Sequence, residues 1–218
     1  MPLTFRPEYL ILAAIMLLVA LPVHEFSHAL VAYRMGDGTA KLLGRLTLNP
    51  IVHFDPLGGT LLLITLLSGT GFAFGWAKPT PVNPANLRGG RHGDAWVALA
   101  GPLSNLVLAA AAAIPFRTMV ATGVDAPEAL LVLRLFVQIN VALMIFNLIP
   151  LPPLDGSHVL LALVDPQTSW RLRATLQQYG SIILLALILL PSLTGLPSPL
   201  GILFQVVAGP IIHLLLGV

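Results

Sequence analysis

Fifteen uncharged residues in a row, Tyr9 to Val23, run directly into His24-Glu25-Phe26-Ser27-His28. The apolar run has the make-up of a membrane-spanning helix, so the pentapeptide that ends it carries two histidines and a glutamate to bilayer depth. Three ionisable groups placed there are costly unless they ligate, pair or react, and the default reading of such a cluster is a functional site. The spacing indicates the chemistry. Residues i and i+4 share one face of an α-helix, so His24 and His28 can grip one cation, while Glu25, one step round, is placed to hold and deprotonate a water.

The composition makes the membrane assignment independently. The chain is 56% hydrophobic and only 9% charged, with a mean hydropathy of +0.90, whereas soluble domains carry about 25% charged residues. Helices of ~20 residues use up most of the 218 positions. The expectation is one transmembrane domain over residues 1–218, with a core at about 9–165 and C-terminal hydrophobic segments at about 176–218. The net charge is +2, and the basic residues lie in short inter-helix stretches. They read as an orientation signal, and no nucleic-acid partner is expected. With no cysteine in the chain, disulfides, thiolate ligands and cysteine nucleophiles are excluded, which leaves His, Asp and Glu to hold a metal. The N-terminus lacks a basic n-region and a small-residue cleavage site, so the first span is expected to be retained.

Along the chain, a first helix from about Tyr9 to Tyr33 stops at Arg34-Met35-Gly36-Asp37-Gly38. Lys41 to Leu48 has a short alternating pattern that predicts a β-ribbon. Leu57 to Trp76 is apolar but carries Gly58, Gly59, Gly69, Gly71 and Gly75, poor material for a straight span and better for a broken or re-entrant element packed against protein. Helices follow from Asp94 to Phe116 and from Ala129 to Ile149, then a short one ending at Val164, and two last hydrophobic segments at Leu176–Leu193 and Pro199–Val218. The fold class is therefore an all-α polytopic membrane protein. It has about five full transmembrane helices, a re-entrant segment and a small β-ribbon near the active site.

A catalytic zinc takes three protein ligands and keeps one position open. Asp155 is the candidate third. It lies in Asn147-Leu148-Ile149-Pro150-Leu151-Pro152-Pro153-Leu154-Asp155-Gly156, where prolines break a helix at membrane depth beside a carboxylate. If His24, His28 and Asp155 share a metal, the helices ending near them must run the same way, so an odd number of crossings separates them. Of the two apolar segments between, the glycine-broken Leu57–Trp76 is the one expected not to cross. That arrangement gathers Arg34, Lys41, Arg45, Lys78, Arg88, Arg91, Arg171 and Arg173 on one side. The positive-inside rule then puts the metal near the cytoplasmic face and the N-terminus outside.

On these elements the chain resembles the site-2 protease family of intramembrane zinc metalloproteases, which pair HExxH with a downstream Asn- and Pro-rich LDG element. Further matches are Gly44-Arg45-Leu46-Thr47-Leu48-Asn49-Pro50, His53-Phe54-Asp55-Pro56, Phe74-Gly75-Trp76-Ala77-Lys78-Pro79 and Ala100-Gly101-Pro102-Leu103-Ser104-Asn105, so the resemblance covers roughly residues 20–160. It implies one Zn²⁺ per chain held by His24, His28 and Asp155, Glu25 as general base, and Asn147 as a polar group near the scissile carbonyl. The implied activity is hydrolysis of peptide bonds within or next to transmembrane segments of membrane-protein substrates, as in regulated intramembrane proteolysis. The implied setting is the lipid bilayer of a bacterial or archaeal cell membrane. The form is compact, without the PDZ or nucleotide-sensing domain of some members, and no sequence pattern sets an oligomeric state.

Each residue also has a plainer reading. His24, Glu25 and His28 can form a buried hydrogen-bonded cluster, Asp155 can cap a helix, and Asn147 can satisfy carbonyls freed at a helix end. Asn140 and His158 read as structural, His53 and Asp55 as a loop-building pair, outer partners of the site or an occasional ligand, and Gly101-Pro102 as a place for close helix packing and a kink. The competing class is a non-proteolytic metal-binding protein or divalent-metal transporter, and a third is an inactive homologue acting as a membrane chaperone. Neither needs Glu25 beside the histidines.

Overall fold

The structure, a computed structural model, describes residues 7–67 and 75–217. Its main helices are α1 (Leu10–Arg34), α2 (Pro56–Leu67), α3 (Gly90–Thr122), α4 (Pro127–Asn147), α5 (Gly156–Leu163), α6 (Pro166–Thr194) and α7 (Pro199–Leu216). Five of them, α1, α3, α4, α6 and α7, are long and apolar enough to cross a membrane.

Two of these helices admit a proline by the same device. A regular turn ahead of Pro22 or Pro210 would set the pyrrolidine ring against the carbonyl of residue i−4. In α1 the turn Met16–Ala20 is widened to a π-turn, with Leu21 N–H donating to Met16 O. In α7 Phe204–Ala208 does the same, with Gly209 N–H donating to Phe204 O. The first of these widened turns directly precedes the HExxH box, a common setting for such turns.

Side-chain pairs give the helix directions. His28 meets the Val97 carbonyl and Ala20 O meets Asn105, so α1 and α3 are antiparallel. Asn105 meets Asn140 and Phe116 lies under the Arg134 guanidinium, so α3 and α4 are antiparallel as well. It follows that α1 and α4 run the same way, as a shared metal requires. The α3–α4 interface sets the small Ala109 and Ala113 of α3 against Val137 and Val141 of α4, which lets the two backbones approach closely where lipid gives no hydrophobic drive. α6 starts beside Arg91, whose Nη1 donates to Val164 O, and passes Pro152 at Gly180. Leu200, at the start of α7, clusters with Leu154, Leu184 and Ile188. At the other end of α7, Leu216 clusters with Phe116 and Arg117 Nη1 donates to Leu214 O. α7 thus runs parallel to α3.

The ribbon expected at Lys41–Leu48 does not form, and the described residues contain no strand. Its backbone donors close locally instead. Leu43 N–H reaches Thr39 O at 3.1 Å, Gly44 N–H reaches Lys41 O at 3.0 Å and Arg45 N–H reaches Ala40 O at 2.8 Å. Asp37, fully buried, nucleates this turn by accepting from Thr39 N–H and Oγ1. It also accepts from Asn83 N–H and Asn86 Nδ2, pinning the loop after α1 to the loop before α3. A side chain offering backbone groups this many local partners outcompetes an unpaired two-strand ribbon.

α2 has 12 residues, about 18 Å at the helical rise and short of a ~30 Å hydrocarbon core. By Gly75 the chain is back against its own start. A Cβ at Gly75 would collide with the Gly58 carbonyl and Leu62 Cβ, and Lys78 N–H donates to His53 O at 2.8 Å. Gly69 and Gly71 lie outside the described residues. Three boundaries differ clearly from expectation, one being the end of α3 at Thr122, six residues past Phe116. α3 opens at Gly90, four residues before Asp94. α6 opens at Pro166, because Asp165 caps it by accepting from Gln167 and Thr168 N–H, so Arg171 and Arg173 are helical.

Candidate metal centre

The i, i+4 spacing on α1 stacks the His24 and His28 rings edge to face with centroids 4.6 Å apart. Both Nε2 atoms meet the Asp155 carboxylate, His24 Nε2 at 3.2 Å from Oδ2 and His28 Nε2 at 3.4 Å from Oδ1. One donor atom from each residue lies within 4.8 Å of the others. Asp155 occupies the N-cap position of α5 but makes no side-chain capping bond, so its carboxylate is committed to the histidines and not to the helix. The proline-broken turn after α4 places it there.

The far side of each ring is fixed. His28 Nδ1 lies 2.7 Å from the Val97 carbonyl, which only accepts, so Nδ1 carries a proton and, in the neutral ring a metal needs, Nε2 carries the lone pair. His24 Nδ1 lies 2.6 Å from Asn105 Oδ1, with the same consequence. Lone pairs therefore face a carboxylate. Asp155 Oδ2 is buried with no hydrogen-bond partner despite its closeness to His24, an arrangement that is costly until a cation joins the three groups. Donors at ~2.0–2.1 Å from a tetrahedral zinc are about 3.3–3.4 Å apart. The donor set fits zinc.

Gly101 supplies the room. A Cβ built there would run into His24 Nε2, His24 Cε1 and His28 Nε2 together, so the missing side chain leaves a cradle on the Nε2 side of both rings. Gly101→Ala, which should favour the α3 helix by about 1 kcal/mol, is expected to leave the chain folded and reduce zinc to background by elemental analysis. A folded variant with a full complement of zinc would show that the cradle is mere helix packing.

Glu25 Oε2 accepts the Thr80 backbone N–H at 2.8 Å, while Thr80 Oγ1 donates to the Glu25 carbonyl at 3.0 Å. This clamps the extended chain after Gly75 to the HExxH turn and leaves Oε1 for another partner. His24, Glu25, His28, Asn147 and Asp155 all line one cavity of about 770 Å³, walled further by Thr80, Phe146, Leu184 and Ile188. Asn147 is thus brought to the site, where its Nδ2 donates to Leu143 O at 3.0 Å. His158 and Asp94 line the same cavity, and His158 Nδ1 lies 2.7 Å from Asp94 Oδ2. That hydrogen bond, outweighing partial burial, holds the imidazole above its ordinary pKa. His53 and Asp55 build the loop. His53 Nε2 donates to Thr47 O and Asp55 Oδ1 accepts from Gly58 N–H. Asn105, Val97 and Thr80 are not among the site residues expected from the sequence. An asparagine on an apolar helix was the available signal for Asn105, whereas Val97 and Thr80 act through backbone atoms and carry none.

Residues 117–191 match the pattern of peptidase family M50, a stretch that takes in Asn147 and Asp155 but not the His24–His28 box. Over 195 residues the chain is 40% identical to YwhC of Bacillus subtilis (strain 168), named as a zinc metalloprotease, a match spanning 87% of this chain and 84% of YwhC. The chain belongs to peptidase family M50. The M50 chain is also 33% identical over 182 residues to Rip2 of Mycolicibacterium smegmatis, named likewise, across 81% of its own length and 66% of Rip2. For Rip2 of Mycobacterium tuberculosis (strain H37Rv) the identity is 32% over 193 residues, with 66% of that protein covered. No solved structure matches the M50 chain. It is a zinc metalloendopeptidase by family, and its long apolar helices make it an integral membrane protein.

Proposed function

We propose that this M50 protease cuts peptide bonds within or next to transmembrane segments of other membrane proteins, as a single membrane domain with one zinc per chain held by His24, His28 and Asp155. One observation carries the reading. The HExxH histidines, Glu25 and Asp155 converge on a cavity whose walls are the apolar helices themselves. A cavity of about 770 Å³ can take a short extended stretch of peptide, and its Phe146, Leu184 and Ile188 walls suit the side chains of a membrane span.

Zinc bound there would supply a Lewis acid for the scissile carbonyl and lower the pKa of a water far below its bulk value, towards roughly 7. Glu25, with Oε2 held by Thr80 N–H, takes the proton of the attacking water on Oε1 and returns it to the leaving amine. Asn147 has one amide N–H on Leu143 O, and its remaining N–H and Oδ1 are available to the substrate backbone. A helical substrate must unwind first, because its carbonyls are otherwise tied within the helix. Glu25 in the cavity speaks against a transporter, which needs no general base.

The reading is tested by reconstituting the purified chain with a single-span test substrate. Cleavage that stops on chelation and returns with zinc is the expected result, and cleavage indifferent to chelation would refute it. In the same assay Asn147→Ala is expected to keep its zinc and its melting temperature while turning over about 10²–10³ more slowly, the usual loss for one oxyanion donor. An active but destabilised variant would instead make Asn147 a structural residue.

On this reading the bilayer is that of a bacterial or archaeal cell membrane, the site opens to the cytoplasm and the Leu57–Trp76 segment is re-entrant, as the gathering of basic residues on one side supports. Because α7 runs parallel to α3 and ends at Arg117, we assign α6 and α7, each long enough to cross alone, to one shared crossing in place of the two that five full spans would give, with Gly217 on the outer side with Asp125. Single cysteines at Gly38, Asn86 and Gln167 are expected to label from the cytoplasm, and those at Asp125 and Gly217 from outside. Outside labelling at 86 would make Leu57–Trp76 a full span, and cytoplasmic labelling at 217 would make α6 and α7 a complete hairpin.

A further inference from the structure

We propose that Asn105 and Asn140 are positioning residues for the metal, passing the polarity of one helix carbonyl on α4 to His24 and so selecting the ring nitrogen that is free to bind a cation. An asparagine amide can face either way, and its neighbours decide. At Asn140 the backbone decides. Its Nδ2 lies 2.9 Å from the Phe136 carbonyl, which only accepts, so Oδ1 is turned towards Asn105. Asn105 must then present Nδ2 to that oxygen, at 2.9 Å, and the same Nδ2 also faces the Ala20 carbonyl at 3.4 Å, a second acceptor that demands the same orientation. Asn105 Oδ1 is left 2.6 Å from His24 Nδ1. The proton is therefore held on Nδ1, and the Nε2 lone pair points at the site.

Both amides are fully buried, so no water can reverse the sequence. The opposite setting has a definite consequence. With Asn105 reversed, His24 would carry its proton on Nε2, 3.2 Å from Asp155 Oδ2. Histidine and carboxylate would then satisfy each other, and the site would close on itself without a cation. The two asparagines hold the site in its open, metal-competent form, and they do so across three spans, α1, α3 and α4.

This rests on the metal assignment made above, and the test separates the two. Full-length chain purified in detergent is titrated with Co²⁺ and with Zn²⁺ against a chelator of known affinity, with helical circular dichroism as the folding control. A wild-type chain that binds neither ion retires the metal assignment itself. If it binds, Asn105→Leu is expected to weaken affinity about 10–100-fold, the usual effect of losing a histidine's outer partner. Asn105→Asp should restore near wild-type affinity, because a carboxylate accepts from Nδ1 whatever its orientation. For the same reason Asn140→Leu should weaken binding in the wild-type background but not in the Asn105→Asp background, a comparison that stands even if Asn105→Leu does not fold. Wild-type affinity in folded Asn105→Leu, no rescue by Asn105→Asp, or an equal effect of Asn140→Leu in both backgrounds would each overturn the proposal.

Discussion

Glu25→Gln is expected to bind zinc as the wild-type chain does and to lose cleavage of a transmembrane substrate by about 10²–10⁴-fold, the contribution of a positioned general base. The substitution spares all three candidate ligands. It also spares the local structure, since the glutamine oxygen can still accept the Thr80 N–H that Glu25 Oε2 accepts, so the extended chain after Gly75 stays clamped to α1. What disappears is the proton acceptor. A loss of that size corresponds to roughly 3–5 kcal/mol of transition-state stabilisation, well beyond what a repacked surface produces. Single-turnover cleavage and zinc content measured on one preparation decide the matter. Near wild-type turnover with full zinc would remove Glu25 from the mechanism.

The HExxH box was legible because its meaning lies in covalent spacing. Any α-helix puts His24 and His28 on one face, and the apolar run before them fixes both the helix and its setting. Asp155 was legible for a different reason, a carboxylate beside a proline break at membrane depth. The Lys41–Leu48 ribbon failed because period-two alternation over so short a stretch competes with local hydrogen bonding. Asp37, four residues upstream, settles that competition by accepting from Thr39 and from the Asn83–Asn86 loop. A loop 46 residues away in sequence is not visible in a local pattern. Gly101 was read as a packing residue, which it is, but what it packs against is the Nε2 side of both histidines. Asn105 stood in view as part of a matched motif, and its work became plain only when α1 and α4 were brought to either side of it.

Asp155→Ala is expected to abolish zinc binding and activity together and, less obviously, to make the metal-free protein no less stable than metal-free wild type. In the wild-type chain the carboxylate is largely buried, and its Oδ2 has no hydrogen bond. An unsatisfied buried acceptor of this kind costs about 1–3 kcal/mol, and the alanine variant is relieved of it. Saturating zinc reverses the order, because a ligand at about 1,000 times its dissociation constant stabilises the form that binds it by ~4 kcal/mol. Thermal melts with chelator and with zinc should therefore cross over between the two proteins. A variant that keeps zinc-dependent stabilisation would require another third ligand. A chelated variant far less stable than chelated wild type would mean that Asp155 holds the fold by means other than a metal.

The central claim is that one zinc sits between α1 and the start of α5, and anomalous diffraction at the zinc edge from crystals of the zinc-loaded chain tests it most directly. The account predicts a single peak per chain, ~2.0–2.1 Å from His24 Nε2 and His28 Nε2 and ~2.0–2.2 Å from an Asp155 carboxylate oxygen, lying over Gly101. A peak at His53, at the His158–Asp94 pair, or on the two histidines without Asp155 would contradict it.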